Sequence, residues 1–484
     1  MEQAGQVGAH LLRGCCLEAQ RSDSVARQLN TLSSALGDAA KSHLASVVQE
    51  IGTGARLLRE LADLSQIHLN RVPLILNPLN VVLPCLSRSL RDIATRCTDK
   101  SLSRSSRWRL LHCTMTNETG GLTLLRRFDT YNQFFASIRG LLIRSSDFDA
   151  TKLGKLSSKI MLLREARGIP SPTIQIEPLG HFDGQGSSDS QSTIHWAERI
   201  FSINLPSRTA LVGRQLCSKS FGPHHPWGFL KIPANSRVLL RRSFNDDQLS
   251  LTIYRDAQDQ SACLLIRVFE QGVPWFSLRG VHELCIERDR SSLHLKRWSF
   301  SEGHSKAWAV LCFTTWEVGV FLPELVLMHS TFVSFKAKNS LTVSLSPQES
   351  ILRGEQRLFR ARIVEDGHEH YLSLLQDRTT RALRLQASAG DAEATSCPIW
   401  TAFVTHQSAS STWLTRLSRY RVSLADVQLF VFCSSYSPQK QCRGIAGAFQ
   451  IDFVDAEAVG RFEGVFCCHS PRALPTVVST SVCA

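Results

Sequence analysis

The spacing of hydrophobic residues changes between the two halves of this chain, and that change constrains the fold most. Before residue 168, apolar residues recur three and four positions apart, as they do on one face of an α-helix. From residue 237 onward, the apolar runs are short, rich in β-branched and aromatic residues, and separated by turn residues. We therefore predict an α+β multidomain protein, in which an all-helical N-terminal bundle precedes antiparallel β-rich domains.

The helical spacing is clearest over residues 122–144, where Phe128, Tyr131 and Phe135 follow the three-to-four rhythm. Asp149 is placed to cap a further helix, because its carboxylate can accept the free amides of a first helical turn. Together these patterns predict an antiparallel bundle of about five or six helices.

Three prolines, Pro73, Pro78 and Pro84, interrupt the apolar segment 69–90. Proline has no amide hydrogen and its ring clashes with the preceding helical turn. We therefore predict a kinked or restarted helix, which resumes near Pro84 and runs to about Arg96.

Composition divides the chain further, because a Pro-, Gly- and Ser-rich stretch without apolar periodicity follows the helices. In the last β-rich part, Asp455 is placed to cap a helix through Phe466. Strands followed by a capping helix resemble the layout of a pleckstrin-homology (PH) barrel. The predicted boundaries are a bundle at 1–168, a linker at 169–194, PH-like barrels at 195–345 and 346–469, and a loose tail at 470–484.

The net charge of +13 is concentrated at the front of the chain. Residues 1–168 hold 23 Lys and Arg against 14 Asp and Glu, a balance of +9. Such a surface favours an anionic partner, namely nucleic acid, acidic membrane or acidic protein, although a solvated basic face explains it equally well. The candidate contacts for an anionic partner are Arg104, Arg107, Arg109, Arg126 and Arg127 in the front and Arg241, Arg242, Lys296 and Arg297 in the back.

Cellular location is predicted from three features of the sequence. The 15 cysteines are scattered through apolar runs, as expected for reduced, buried thiols. The chain does not open with a charged and then apolar segment of the secretory type. No apolar run approaches the roughly 20 residues of a membrane-spanning helix, so no transmembrane segment is expected. We predict a cytoplasmic protein, with the nucleus as the alternative.

Catalytic and ligand-binding motifs are absent from the sequence. It contains no phosphate-binding glycine loop, GxSxG elbow, HExxH or CxxC pair, and no zinc-finger or RNA-binding signature. We therefore predict no catalytic residue, no cofactor, no metal ion and no specific nucleic-acid motif. His282, Glu283 and Cys285 are the nearest approach to a catalytic group, and only the fold could bring them together.

Three stretches carry a family resemblance: LNRVPLILNPLNVVLPCLSRSL at 69–90, GVPWFSLRGVHELCI at 272–286 and CPIWTAFVTHQ at 397–407. In them the chain resembles a group of proteins from filamentous ascomycete fungi. The helical front is also similar, more loosely, to the N-terminal helical modules of fungal STAND-type and HeLo-like signalling proteins. That similarity implies protein association and, in some members, membrane disruption. No NTPase, ankyrin or WD-repeat region follows the front, and the resemblance brings no catalytic residue.

The leading functional hypothesis is a non-enzymatic interaction or scaffold protein. Its bundle would associate with itself or with another protein, and its barrels would dock peptide or lipid. The first alternative is a peripheral protein that binds anionic lipid or phosphoinositide. The second alternative is an accessory protein or unrecognised enzyme of fungal specialised metabolism.

Overall fold

The fold is taken from a computed structural model of the 484-residue chain. It describes residues 2–172, 194–202, 217–256, 261–270, 272–299, 304–313, 323–339, 352–365, 367–389, 397–404, 408, 410, 412–434, 436 and 448–468. Most of the predicted linker and the whole predicted tail at 470–484 lie outside the described residues.

Six helices form the first part of the described chain. They are α1 (Glu2–Asn30), α2 (Asp38–Ile67), α3 (Val72–Thr98), α4 (Arg104–Asn117), α5 (Leu124–Ile143) and α6 (Ala150–Ala166). Their apolar faces meet in one buried cluster that includes Leu58, Leu79, Tyr131 and Phe135. Asp149 caps α6 as predicted, since its carboxylate accepts the Thr151 amide at 2.8 Å. The predicted helical bundle is confirmed.

Helix α3 runs unbroken through Pro78 and Pro84, so the predicted restart at Pro84 does not occur. Because Pro84 has no amide hydrogen, the carbonyl oxygen of Asn80, four residues earlier, lacks its usual donor. Arg164 of α6 supplies a replacement. Its Nη1 lies 3.0 Å from the Asn80 oxygen and 2.9 Å from the Val81 oxygen. A guanidinium 84 residues away in sequence therefore fills the gap that the proline leaves.

The strands that follow pair only in antiparallel fashion in every register that the structure describes. A short helix, α7 (Trp196–Ser202), precedes them. The first set comprises β1 (Lys219–Ser220), β2 (His225–Pro226), β3 (Arg237–Phe244), β4 (Leu249–Arg255), β5 (Ala262–Glu270), β6 (Val273–Gly280), β7 (Leu284–Asp289), β8 (Ser292–Ser299) and β9 (His304–Cys312). They form a five-stranded sheet of order β2-β6-β5-β4-β3 and a four-stranded sheet of order β1-β9-β8-β7.

Helix α8 (Pro323–Asn339) comes after β9. The sequence analysis assigned a capping helix only to the second barrel and missed this one. In chain order, this part consists of seven strands, β3 to β9, followed by a helix. The same layout was predicted for the second barrel.

An eight-stranded sheet builds the last part of the chain, with the order β14-β15-β17-β10-β11-β12-β13-β16. Its strands are β10 (Glu355–Glu365), β11 (His368–Asp377), β12 (Leu383–Ala389), β13 (Cys397–Phe403), β14 (Leu414–Arg416), β15 (Arg421–Leu424), β16 (Leu429–Val431) and β17 (Phe449–Phe453). Helix α9 (Ala456–Cys468) follows, and Asp455 accepts the Glu457 amide at its start, as predicted. Phe462 of α9 packs edge-to-face on Phe359 of β10, so the helix covers the core of this sheet.

The described chain divides into two compact units. The first contains α1 to α6, β2 to β4 and the greater part of β5 and β6. The second contains α7, β1, β7 to β17, α8 and α9. In this grouping most of the five-stranded sheet shares a unit with the helical bundle, and the predicted domain boundaries stay a prediction.

One helical segment among the described residues, Leu69–Thr98, is long and apolar enough to cross a membrane by length and composition alone. Its most apolar window has a mean hydropathy of 1.3, and half of that window is buried within the protein. Core helices of soluble proteins pass the same test, and Leu79 and Leu90 of this segment are fully buried in the bundle. The expectation that the chain has no transmembrane segment stays a prediction.

Candidate functional site

A buried charge network joins the helical bundle to the five-stranded sheet within the first unit. Asp63 of α2 is fully buried and accepts hydrogen bonds from Arg241 of β3 at 2.5 Å, from Arg267 of β5, and from the Ser250 hydroxyl of β4 at 2.9 Å. Burial acts to raise the pKa of Asp63, but the Arg267 and Arg241 guanidinium groups outweigh it and hold the pKa below its ordinary value. One ionised carboxylate thus ties three neighbouring strands to a helix.

Asp247 supplies the second acid of this network from the turn between β3 and β4. Its carboxylate lies 3.1 Å from Arg241 and 3.9 Å from Arg267, and its backbone carbonyl accepts from Arg267 at 3.1 Å. Arg59 of α2 lies 3.9 Å from the same carboxylate and also pairs with Asp23 of α1. Positive and negative groups therefore alternate through the network, as buried charges require.

Trp227 adds a neutral contact to the same junction. Its indole Nε1 donates to the Ser65 hydroxyl at 3.0 Å, and the Gly228 amide donates to Gln66 at 2.8 Å. The Gln66 amide donates in turn to the Leu230 carbonyl at 2.8 Å. The Trp227 side chain thereby packs against the core of the helical bundle.

The predicted anion contacts of the front differ in how far they are exposed. Arg104, Arg109 and Arg126 are exposed, and Arg104 donates to the Ser34 hydroxyl at 3.1 Å. Arg107 is half-buried and donates to the carbonyl of Leu102 at 2.9 Å and to that of Cys97 at 3.0 Å. Arg127 is fully buried and donates to the Met115 carbonyl and to the Thr119 hydroxyl. Backbone carbonyl oxygens of the bundle therefore bind two of the arginines that contribute to its positive charge.

The predicted anion contacts of the back half lie on two strands. Arg241 and Arg242 are on β3, where Arg242 is exposed and the Arg241 side chain, 14% exposed, is held between two carboxylates. Lys296 and Arg297 are on β8, and Lys296 pairs with Glu287 of β7 at 2.6 Å. Arg241 and Lys296 thus have intramolecular partners that offset their charge.

Buried ion pairs also join elements within the second unit. Arg384 of β12 and Glu355 of β10 form a two-pronged pair with both distances at 2.7 Å, and both side chains are almost completely buried. Arg288 of β7 lies 2.5 Å from Asp377 of β11. His329 of α8 is fully buried near these cations, and burial, with Arg384 and Arg288, lowers its pKa to about 3. This imidazole is therefore neutral at physiological pH.

The residues proposed for a catalytic group have structural contacts instead. Glu283 accepts the Gly280 amide at 3.0 Å and lies 3.8 Å from Arg279. The Cys285 sulfur lies 4.0 Å from the Glu287 carboxylate. No group of three or more His, Cys, Asp or Glu side chains that could hold a metal ion occurs in the described part of the chain.

Comparison with known protein families fits this arrangement of strands and helices. Residues 228–355 and residues 356–470 each match a family described as a PH domain found in tandem in fungal proteins. The chain carries two PH domains in tandem. No curated protein and no solved structure shows significant similarity to it. The predicted PH-like region and the fungal family resemblance are confirmed, whereas the similarity of the front to HeLo-like modules stays a prediction.

The turns that join the first two strands of each PH domain are short and not basic. In the first domain the turn contains Asn245, Asp246 and Asp247, all with positive φ between 52° and 66°, a conformation that Asn and Asp tolerate better than most residues. In the second domain Glu365 pairs directly with His368 across the turn. The sequence of these turns, 245–248 and 366–367, contains no Lys or Arg that could bind the phosphates of a phosphoinositide.

A different hairpin of the second PH domain, the one between β14 and β15, is basic and exposed. Residues 415–421 are all exposed, including Leu417 at 49% and Tyr420 at 44%. Arg416 and Arg421 flank this tip and pair with Glu463 at 3.3 Å and with Asp452 at 2.5 Å. Arg419 stands at the tip with its guanidinium 5.7 Å from the Tyr420 ring. An exposed leucine and tyrosine among three arginines suit an interface that is both apolar and anionic.

Sequence reasoning missed Asp63, Arg267 and Arg59. A signal was present, because Asp63 interrupts an otherwise apolar run from Leu61 to Leu64. An acid at a core position of an amphipathic helix requires a buried partner. Its partners, however, lie 178 and 204 residues away, beyond the reach of any local pattern.

Proposed function

We propose that this protein is a non-enzymatic interaction scaffold of the cytoplasm or nucleus. In this proposal the tandem PH domains dock a partner and the helical bundle associates with protein. PH domains commonly bind lipids or proteins. The observation that carries the proposal is the Asp63 network, which anchors the bundle to the sheet of the first PH domain. A scaffold needs its binding modules held in a fixed arrangement, and a largely buried set of alternating charges supports that at this junction.

The association surface of the bundle is assigned to the exposed face of α6. Leu162 on this helix is 66% exposed, the highest value among the large apolar side chains of the described residues. A leucine that faces solvent to this extent gains about 1.5–3 kcal/mol when a partner covers it. The partner proposed for this face of α6 is a second copy of the chain.

Size-exclusion chromatography with light scattering on the full chain tests this step over a range of concentrations. The monomer mass is 54.0 kDa, so self-association should appear as a larger mass that rises with concentration. Leu162→Glu should return the mass to that of the monomer, because a carboxylate at the interface would be desolvated. Leu417→Glu, at an exposed leucine of the second PH domain, should not change it. A wild-type chain that stays monomeric throughout contradicts self-association.

The exposed β14–β15 hairpin supports a second candidate function, attachment to an anionic membrane surface. Arg419 at the tip would lie near lipid headgroups, where each cation contributes about 1 kcal/mol. Leu417 and Tyr420 would enter the interface beside it. This hairpin is separate from β3 and β8, which carry the anion contacts predicted for the back half of the chain.

Co-sedimentation of the full chain with phosphatidylserine-containing vesicles tests the second candidate. Arg419→Glu and Leu417→Glu should each weaken binding about fivefold or more, and added salt should weaken it further. Leu162→Glu is the matched control and should bind as wild type does. Binding that is indifferent to salt and to both tip substitutions refutes membrane attachment through this hairpin. Arg126→Glu tests whether an exposed cation of the helical bundle contributes to vesicle binding. A substitution of the buried Arg127 would instead report on folding.

A further inference from the structure

The helical bundle contains a polar pocket that neither candidate function uses. It has a volume of about 440 Å³, within the range of about 300–1,000 Å³ typical of small-molecule sites. Its walls come from α3, α4 and the end of α6. The lining residues that carry charge are Arg88, Asp92, Arg96, Glu118 and Arg167.

The ion pairs in this pocket do not use all of its positive charge. Asp92 pairs with Arg167 and lies 3.3 Å from Arg88, while Glu118 lies 3.7 Å from Arg167. The Arg167 side chain is only 3% exposed and also donates to the Ser89 hydroxyl at 2.9 Å. Arg96 is exposed and forms no ion pair with the described residues. The lining therefore carries one more cation than it has carboxylates.

A second cation without an ion pair, Arg127, lies behind the wall. Arg127 is fully buried and donates to the backbone carbonyl of Met115, a lining residue. Its Nε and Nη1 atoms have no hydrogen-bond partner, and it forms no ion pair with the described residues. Burial is the largest influence on the Arg127 guanidinium and lowers its pKa; Tyr131 acts to raise that pKa, Arg167 to lower it, and the more distant carboxylates of Glu118 and Asp92 to raise it. Burying a cation without an ion pair costs free energy, and an anion bound in the pocket would offset part of that cost.

We infer that this pocket binds a small molecule that carries a phosphate group. A phosphate dianion would balance the excess charge of Arg96 and Arg127. The planar fork of an arginine, with its fixed set of donors, matches the geometry of phosphate oxygens. The remaining volume accommodates the rest of a phosphorylated small molecule, with Leu111 and Met115 as the apolar part of the wall.

Thermal unfolding of the full chain tests the inference, with inorganic phosphate as the probe and sodium chloride at equal ionic strength as the reference. Phosphate should raise the melting temperature above that in chloride, because a ligand that binds only the folded state stabilises it. Arg96→Gln should weaken phosphate binding about tenfold, as expected for the loss of one charged hydrogen-bond donor. Arg91→Gln, at another exposed arginine of α3 that does not line the pocket, is the matched control and should respond as wild type does.

A second arm separates a soluble phosphate from a lipid headgroup as the natural source. Vesicles of phosphatidylcholine with phosphatidic acid present the same phosphomonoester chemistry on a membrane. Dependence on Arg96 in either arm supports the site, and the arm in which it appears identifies the source. Equal responses of wild type and Arg96→Gln in both arms, or no response of wild type to either probe, overturn the inference. Arg88→Gln, at an exposed lining residue, provides a second variant for the same comparison.

Discussion

The proline-bridging role of Arg164 makes a quantitative prediction about helix α3. In the folded protein the Asn80 carbonyl lacks the amide donor that Pro84 cannot provide, and Arg164 Nη1 occupies that place at 3.0 Å. Replacing Arg164 by methionine keeps most of the side-chain volume and removes the donors. A buried carbonyl without a partner costs about 1–3 kcal/mol. We therefore expect Arg164→Met to destabilise the segment around Asn80 by at least that amount.

The size of the effect should depend on residue 84, because Pro84→Ala restores the missing amide. Arg164 also donates to the Pro170 carbonyl, and that bond is lost equally in either background, so it cancels in a double-mutant cycle. The coupling between Arg164→Met and Pro84→Ala should be about 1–2 kcal/mol, the worth of the Asn80 carbonyl bond alone. Pro73→Ala is the matched control. Pro73 stands in the first turn of α3, where a missing amide leaves no helical carbonyl unpaired, so it should show no coupling.

Hydrogen–deuterium exchange with mass spectrometry on peptides covering 72–98 is the appropriate assay, because global unfolding of a multidomain chain is not a single transition. Each 1.4 kcal/mol corresponds to about a tenfold loss of protection. Arg164→Met should therefore reduce protection about tenfold more in the wild-type background than in the Pro84→Ala background. Equal losses in the two backgrounds would show that Arg164 acts through general packing, and the bridging explanation would be wrong.

Three further predictions concern buried titratable groups. Asp63→Asn should lower the free energy of unfolding of the first unit by about 3 kcal/mol at neutral pH, because it leaves two buried guanidinium groups short of a partner. Because the folded pKa of Asp63 is depressed, its contribution is present above the unfolded pKa near 3.9 and is lost as the pH falls through the lower folded value. In urea unfolding, the free energy of unfolding of the variant should therefore fall less steeply than that of wild type as the pH is lowered. Identical pH profiles of the two proteins would contradict the role given to Asp63. His329 has a folded pKa of about 3, so wild type should lose about 1.4 kcal/mol of stability per pH unit as the pH falls from about 6.5 towards that value. His329→Gln should remove this slope in pH-dependent urea titrations, and an unchanged slope would refute the role of His329. Burial raises the pKa of the Cys16 thiol to about 12, so iodoacetamide should label the exposed Cys113 well before Cys16 under native conditions, as read by mass spectrometry. Equal labelling rates would show that Cys16 is accessible.

The parts of the fold that were predictable from sequence depend on interactions within a few residues. The helix α5 follows from the spacing of Phe128, Tyr131 and Phe135, which places apolar side chains on one face. The starts of α6 and α9 follow from Asp149 and Asp455, because a capping carboxylate binds amides two or three residues further along. Neighbouring residues carry all the information that such features need.

The candidate sites were less predictable, because their residues come from distant parts of the chain. The list of basic residues included Arg127 and Arg241, but their burial could not be read from local pattern. It omitted Arg96 and Arg167, which line the phosphate pocket proposed above, because neither belongs to a local cluster of cations. The sequence shows that a residue is charged. Whether that residue is buried, exposed or paired becomes known only when the fold places its partners.

The division into a helical front and a β-rich back is readable from the amino-acid pattern, since the repeat of apolar residues follows directly from the geometry of each element. The packing of the helices, in contrast, decided that α3 continues through Pro84, because the donor for the Asn80 carbonyl comes from another helix. The fold also decided that Asp63 serves as a junction with the first PH sheet and not as a solvated acid. Both outcomes have one physical cause. A buried polar group is tolerated only when its partner is present, and in this chain the partners are tens to hundreds of residues away in sequence.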